Sequence, residues 1–246
     1  MRHLQGGALS SPQKSFLSLE NHVKSVRFLT RLAVATTLLV SPLQAQVVGG
    51  PATDENCFPF GCLYAGNPST RYQQVYSASA FAPINIGSIS FFLGASSAGS
   101  LNSGTYSFYL STTTAPVNGL STTMDNNVGA DAALFGVFQL TGGAAPSVLS
   151  FSGAPFQYNP ANGNLLLDIR VSGLTHPTGG FAYYQGRHDA ANTVTSRMHD
   201  FGLGAEHYGL VTEFTAASTV VPEPSTWVLM AAGLAGLAVV ARRRTV

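Results

Sequence analysis

Between Gly186 and Gly209 the chain gathers Arg187, His188, Asp189, Arg197, His199, Asp200, Glu206 and His207. Imidazoles and carboxylates ligate divalent metals and pass protons in acid–base catalysis. Two His-Asp neighbours and one Glu-His neighbour fall within this one stretch. The spacing argues against both chemistries. Adjacent residues on a strand point to opposite faces, so each neighbour pair diverges, and the intervals match no zinc pattern. A solvated loop region is the expected reading. A ligand site is the alternative and a hydrolase centre a third. No catalytic residue and no metal ligand is assigned.

Carbohydrate recognition would need exposed aromatic platforms. The only tryptophan, Trp227, lies near the C-terminus, so Tyr72, Tyr76, Tyr183, Tyr184 or Tyr208 would have to serve. Tyr183 and Tyr184 are adjacent, so one of them should face outward. Together with His188 and His199 they form the candidate ligand-binding set. The competing expectation is that the tyrosines cover the edge of a core. Asp125-Asn126-Asn127 and Asp131, with Asn159, Asn162 and Asn164, offer oxygen donors of the kind a structural calcium prefers, although Asx-rich loops are also ordinary turns. No other cofactor is expected. Nucleophile-elbow, phosphate-loop and paired-cysteine patterns are absent from the sequence, and Gly202-Leu203-Gly204 reads as a turn.

These groups have to be positioned by strands. Residues 71–81 read as a first strand. Ile84 and Ile86 alternate, then Ile89, Phe91 and Leu93 alternate in the opposite phase, which predicts a bulge at Gly87. Residues 94–104 read as a small-residue loop. Tyr106, Phe108 and Leu110 alternate with polar neighbours. A long polar connection covers 112–131, strands follow over 134–140 and 148–151, and Asn-Pro and Asn-Gly mark turns within 157–164. Leu165, Leu167, Ile169 and Val171 share one face, with Leu166, Asp168 and Arg170 on the other. Further strands are expected over 181–185, 193–198 and 208–214. The pattern predicts an all-β domain, a single antiparallel β-sandwich of jelly-roll type.

Charge sharpens this picture. From Gln46 to Val221 there is no lysine, and four arginines against nine carboxylates give −5 with histidines neutral, although the whole chain is +1. An acidic domain without a basic stripe excludes nucleic acid as a partner. Cys57 and Cys62 are the only cysteines. Pro59 and Gly61 between them supply a bend. In an oxidising compartment the pair closes as a disulfide, and two cysteines alone are too few for a metal site.

Both ends carry signals. Residues 1–22 are an unpatterned extension, either a mis-called start with translation from Val23 or a long natural n-region. Residues 23–45 read as a signal peptide: Lys24, Arg27 and Arg31 precede the apolar 32–40 run, Pro42 breaks the helix, and cleavage is expected after Ala45. The domain spans 46–220. In 221–246, Pro222-Glu223-Pro224 precedes an apolar span (226–241, expected to be a single transmembrane helix) and a basic stop, Arg242, Arg243 and Arg244. From Trp227 to Ala241 a helix would reach roughly 22 Å, short of the roughly 30 Å hydrocarbon core. The arginines should stay cytoplasmic, which places everything before Pro222 outside the inner membrane. The two prolines keep the backbone around Glu223 extended.

Motif, span and arginine cluster in this order resemble a PEP-CTERM sorting signal, over about the last 26 residues. The resemblance implies an exported protein of a Gram-negative bacterium. Exosortase, a membrane protease, would cut near Pro222, Glu223 and Pro224. The implied partners are exosortase, the secretion translocon, signal peptidase and extracellular polysaccharide. The implied path is transient anchoring at the inner membrane, then the cell surface or the medium. A plain, uncleaved anchor is the rival reading of the tail. For the domain, a structural or adhesive, non-enzymatic role in biofilm or exopolysaccharide is expected, with a displayed carbohydrate-binding module as the alternative and a secreted hydrolase third.

Overall fold

The computed structural model describes residues 44–62, 70–95, 97–176, 179–188, 191, 193–201, 204–218, 232–234 and 241–242. Among them are twelve strands: β1 (Ala45–Val48), β2 (Asp54–Asn56), β3 (Arg71–Tyr76), β4 (Ile84–Phe92), β5 (Ser100–Thr113), β6 (Ala133–Ala144), β7 (Val148–Tyr158), β8 (Asn164–Thr175), β9 (Tyr184–His188), β10 (Thr195–His199), β11 (Tyr208–Leu210) and β12 (Thr212–Ala216). They form a four-stranded sheet, β1-β12-β4-β7, a five-stranded sheet, β10-β3-β8-β5-β6, and a small sheet, β11-β9-β2. The ladders between these strands are antiparallel. The all-β expectation holds.

The two larger sheets face each other across an aromatic core. Phe108 of the five-stranded sheet meets Phe151 of the four-stranded sheet at 4.6 Å between ring centroids, and Tyr76 meets Phe214 at 4.9 Å. At the centre sits Phe60, fully buried, with Phe91, Phe151, Tyr106 and Tyr184 within 5.8 Å. Phe60 comes from the loop closed by the Cys57–Cys62 disulfide. The expected disulfide is therefore present, and its loop delivers a plug to the core.

The alternating residues of β8 behave as expected on one face only. Leu165, Leu167, Ile169 and Val171 enter the main core. On the opposite face, where Leu166, Asp168 and Arg170 were placed, Leu166 and Asp168 are buried as well. The 112–131 connection folds back over that face. Leu120 and Met124 pack on Val75, Leu166 and Met198 as a second cluster, and Gln73 and Asn127, both buried, tie the connection down by a 2.8 Å hydrogen bond. A stretch that is polar in composition thus buries its few apolar residues at chosen points.

The register irregularity of β4 falls between Ile86 and Ser88, around Gly87. A Cβ at Gly87 would lie 2.5 Å from the Ala217 Cα, so the bulge is also where the chain beyond β12 approaches. Opposite this point β7 continues to Tyr158 rather than stopping at Phe151. Pro155 is tolerated because β7 is an edge strand and residues 153–155 fall in the irregular stretch. The strand expected to run to Phe81 ends at Tyr76 instead. There the Ser77 hydroxyl accepts a hydrogen bond from the Ser79 amide and opens a 3-10 turn, Ala78–Ala80. The expected 94–104 loop is shorter than its composition suggests, since β5 starts at Ser100.

Candidate functional site

The polar stretch 186–209 is distributed over β9, β10 and β11. Its centre is Tyr208. The His188 ring stacks on it at 5.1 Å and 28°, and the Arg197 guanidinium lies 4.2 Å from its centroid. Gly186 makes room for that ring, since a Cβ there would come within 2.6 Å of it. Arg197 is held by Glu206, with Nε and one terminal nitrogen both 2.7 Å from Oε2. Burial pushes the Tyr208 phenol well above its ordinary pKa. His188 itself is exposed, with Nδ1 3.7 Å from the Asp54 carboxylate. Asp189 lies outside the described residues. The array links the small sheet to β10 through ion pairing and a cation–π contact.

His199 is not brought to the same surface. It is 1% exposed, with its ring stacked on Phe201 at 4.8 Å and edge-on to Phe58 and Tyr72 at 4.9 and 5.2 Å. Burial first, then the nearby Arg197 charge, lowers its pKa to about 3, so it is neutral in the fold at ordinary pH. The candidate set therefore divides: His188 is at the surface and His199 is in the interior.

The tyrosine pair divides too. Tyr183 is 37% exposed and Phe181, two residues earlier, 38%, whereas Tyr184 is fully buried against Phe60. One tyrosine faces outward as expected. Tyr184 is a core residue and leaves the candidate surface, because an aromatic platform needs an open face.

Three of the named oxygen donors of the 112–131 connection, Asp125, Asn127 and Asp131, have internal partners. The Asp125 carboxylate accepts from Arg71 at 2.7 Å, Asn127 exchanges hydrogen bonds with Ser121 and donates to Gln73, and Asp131 accepts from the Thr112 amide at 2.7 Å. Asn164 accepts from the Ala78 amide and donates to Ala115. Among the described residues no three His, Cys, Asp or Glu side chains are grouped to hold a metal ion.

Sequence reasoning missed a polar surface of a different kind. A depression of about 510 Å³ beside the β4–β7 ladder is lined by Asn85, Gln157, Asn159 and Asn162 over Pro83, Ile84 and Tyr158. Its four amides are exposed and carry no charge. The signal was present in the cross-strand partners Asn85 and Gln157, but it is read only once the register is known.

The first and last strands of the described domain meet at one point of the fold. β1 and β12 pair so that Ala45 lies opposite Thr215, and the Gln44 carbonyl accepts from the Ala216 amide at 2.8 Å. Gln44 and Ala217 therefore stand close together at the same end of the β1–β12 ladder. The Ala217 amide still bonds the Asn85 carbonyl at 2.7 Å. From Ala217 to Pro222 is five residues, a reach of at most about 18 Å. Pro222, Glu223, Pro224, Arg243, Arg244 and most of 226–241 lie outside the described residues, as does the signal-peptide stretch 23–43. Residues 232–234 and 241–242 are helical. Among the described residues no helix is long and apolar enough to cross a membrane.

The family model of the PEP-CTERM protein-sorting motif matches residues 220–244. The chain thus carries that motif from residue 220, shortly after β12 ends at Ala216. The motif implies exosortase as processing partner, and export with membrane-anchored sorting before surface display. No curated protein and no solved structure matches the chain.

Proposed function

We propose that the protein is a non-enzymatic, cofactor-free building block of an extracellular matrix or cell surface, with a structural or adhesive role alongside exopolysaccharide. The carrying observation is the sorting motif, matched at 220–244, within five residues of the folded edge. On this reading residues 23–45 are a signal peptide, and 226–241 hold the chain in the inner membrane until exosortase cuts. The domain is a jelly roll. Supporting this, the orders β1-β12-β4-β7 and β3-β8-β5-β6 are those of two interleaved four-stranded sheets, with β10 added at one edge. Deleting the host exosortase tests the reading: the protein should then accumulate in the inner membrane and vanish from the surface and medium. Unchanged release would sink it.

The amide-lined depression favours a second reading, a carbohydrate-binding module. Neutral amides both donate and accept, which suits a neutral polyhydroxyl ligand, and Tyr183 with Phe181 offers an aromatic surface elsewhere on the domain. A glycan array tests it with the wild-type chain and with Asn85→Ala, Gln157→Ala and Tyr183→Ala. No retention on any glycan removes this reading.

A further inference from the structure

Strand β6 ends the five-stranded sheet, and among the described residues no strand pairs with its outer edge. It is twelve residues long, and β7, at an edge of the facing sheet, is eleven. Edge strands present a row of unpaired amides and carbonyls that can accept another strand. Proteins guard them with lysine, proline, bulges, inward charges or covering elements.

Such guards are sparse here. From residue 132 to residue 167 there is no charged residue and no histidine, and no lysine occurs between 46 and 221. The bulge in β6 lies at its start, around Phe135, and from Gly136 onward the strand follows β5. Leu134 and Val137 of β6 are 47% and 53% exposed, and Val148 of β7 is 44% exposed. The other end of the same sheet is treated differently. β10 is five residues long and carries Arg197, whose amide and carbonyl are both taken by Glu206, at 3.2 and 2.8 Å. The fold covers one edge with Glu206; at the other, β7 closes on the start of β6, where a Cβ at Gly153 would lie 2.2 Å from the Phe135 carbonyl oxygen, and from Gly136 onward no strand among the described residues pairs with the outer edge of β6.

We propose that β6 is a self-association edge. The β6 strands of two copies of this chain pair antiparallel about a two-fold axis, and two five-stranded sheets become one continuous sheet. A second copy is the occupant because a two-fold contact sets a patch against itself. An uncharged strand does this without like-charge repulsion, whereas the domain's carboxylates all lie outside β6 and β7. Leu134 and Val137 of each copy flank the seam and lose water together. This goes beyond the sorting reading and does not depend on it, since β6 lies in a different sheet from β12, the strand that precedes the tail.

Sedimentation equilibrium of the full chain in a density-matched non-ionic detergent tests the proposal. The wild type should show a reversible monomer–dimer equilibrium. Val137→Lys with Gln139→Lys changes two exposed positions and should raise the dissociation constant by about tenfold or more, because juxtaposed like charges are costly. Monomer throughout, or a dimer indifferent to the lysines, overturns it. Amide hydrogen exchange of the wild type at low and high protein concentration gives a readout that needs no variant. Protection over 136–144 should rise with concentration, and no change there contradicts the proposal.

Discussion

Arg71 grips Asp168 with two nitrogens: Nε donates to Oδ1 at 2.9 Å and a terminal nitrogen to Oδ2 at 2.7 Å. Arg170 donates to the same Oδ2 at 3.0 and 3.2 Å. The Asp168 side chain is 3% exposed. Removing one partner of a buried, hydrogen-bonded ion pair leaves the other uncompensated, which typically costs about 3–5 kcal/mol. Asp168→Ala should therefore lower stability by about that amount in urea unfolding. Asp125→Ala should cost far less, since that carboxylate is exposed and Arg71 keeps Asp168. Equal losses would contradict this division.

The buried imidazole makes a prediction about pH. The folded pKa of His199 is about 3, below an unfolded value near 6.5. The folded state thus binds fewer protons, and this contribution to stability is complete above about pH 6.5. It is lost as pH falls towards 3, with a slope of at most about 1.4 kcal/mol per pH unit. His199→Phe keeps an aromatic ring among Phe58, Tyr72 and Phe201 and removes a buried Nδ1 that has no hydrogen-bond partner. The difference in stability between variant and wild type, from unfolding curves between pH 7 and pH 4, should grow in the variant's favour as pH falls. A constant difference would mean that His199 is protonated equally in both states.

Phe60 and its disulfide make a matched pair of tests. Phe60→Ala empties the centre of the core and should cost about 3–5 kcal/mol. Replacing Cys57 and Cys62 by serine opens a short loop and should cost about 2 kcal/mol, with Phe60 still able to seat. Phe181→Ala, at a partly exposed ring, should cost much less than either. Thermal melts of the three variants give the order.

Strand order and the second core lay outside what local pattern reveals. The alternation of Leu165, Leu167, Ile169 and Val171 was legible, because a face buried on a sheet repeats every second residue. The Gly87 bulge was legible from the phase change. The burial of Leu166 and Asp168 was not, because the cover comes from a distant connection rich in Ser, Thr and Asn. The alternation of Tyr183 and Tyr184 was readable, but which ring faces inward depends on Phe60, more than 100 residues earlier. His188 and His199 looked alike in sequence, and only tertiary packing separated them. The sorting tail was the most legible part, since its recognition is linear.

The short tether predicts a steric limit. Deleting Ser218 and Thr219, which precede the matched motif, would draw Glu223 towards β12 and Ala217, whose amide is fixed to Asn85. Immunoblots of host fractions should then show the uncleaved form retained in the membrane, and a flexible six-residue Gly-Ser insert at the deletion should restore processing. Normal cleavage of the deleted form would mean that the protease reaches the motif without clearance from the domain.

Exosortase processing is tested most directly by the intact mass of the protein recovered from a host with the protease and from the same host without it. The first should lack the segment beyond Pro222-Glu223-Pro224, including Trp227 and the arginines at 242–244, and the second should retain it. Retention of that segment in both hosts, or its loss in both, would contradict exosortase processing.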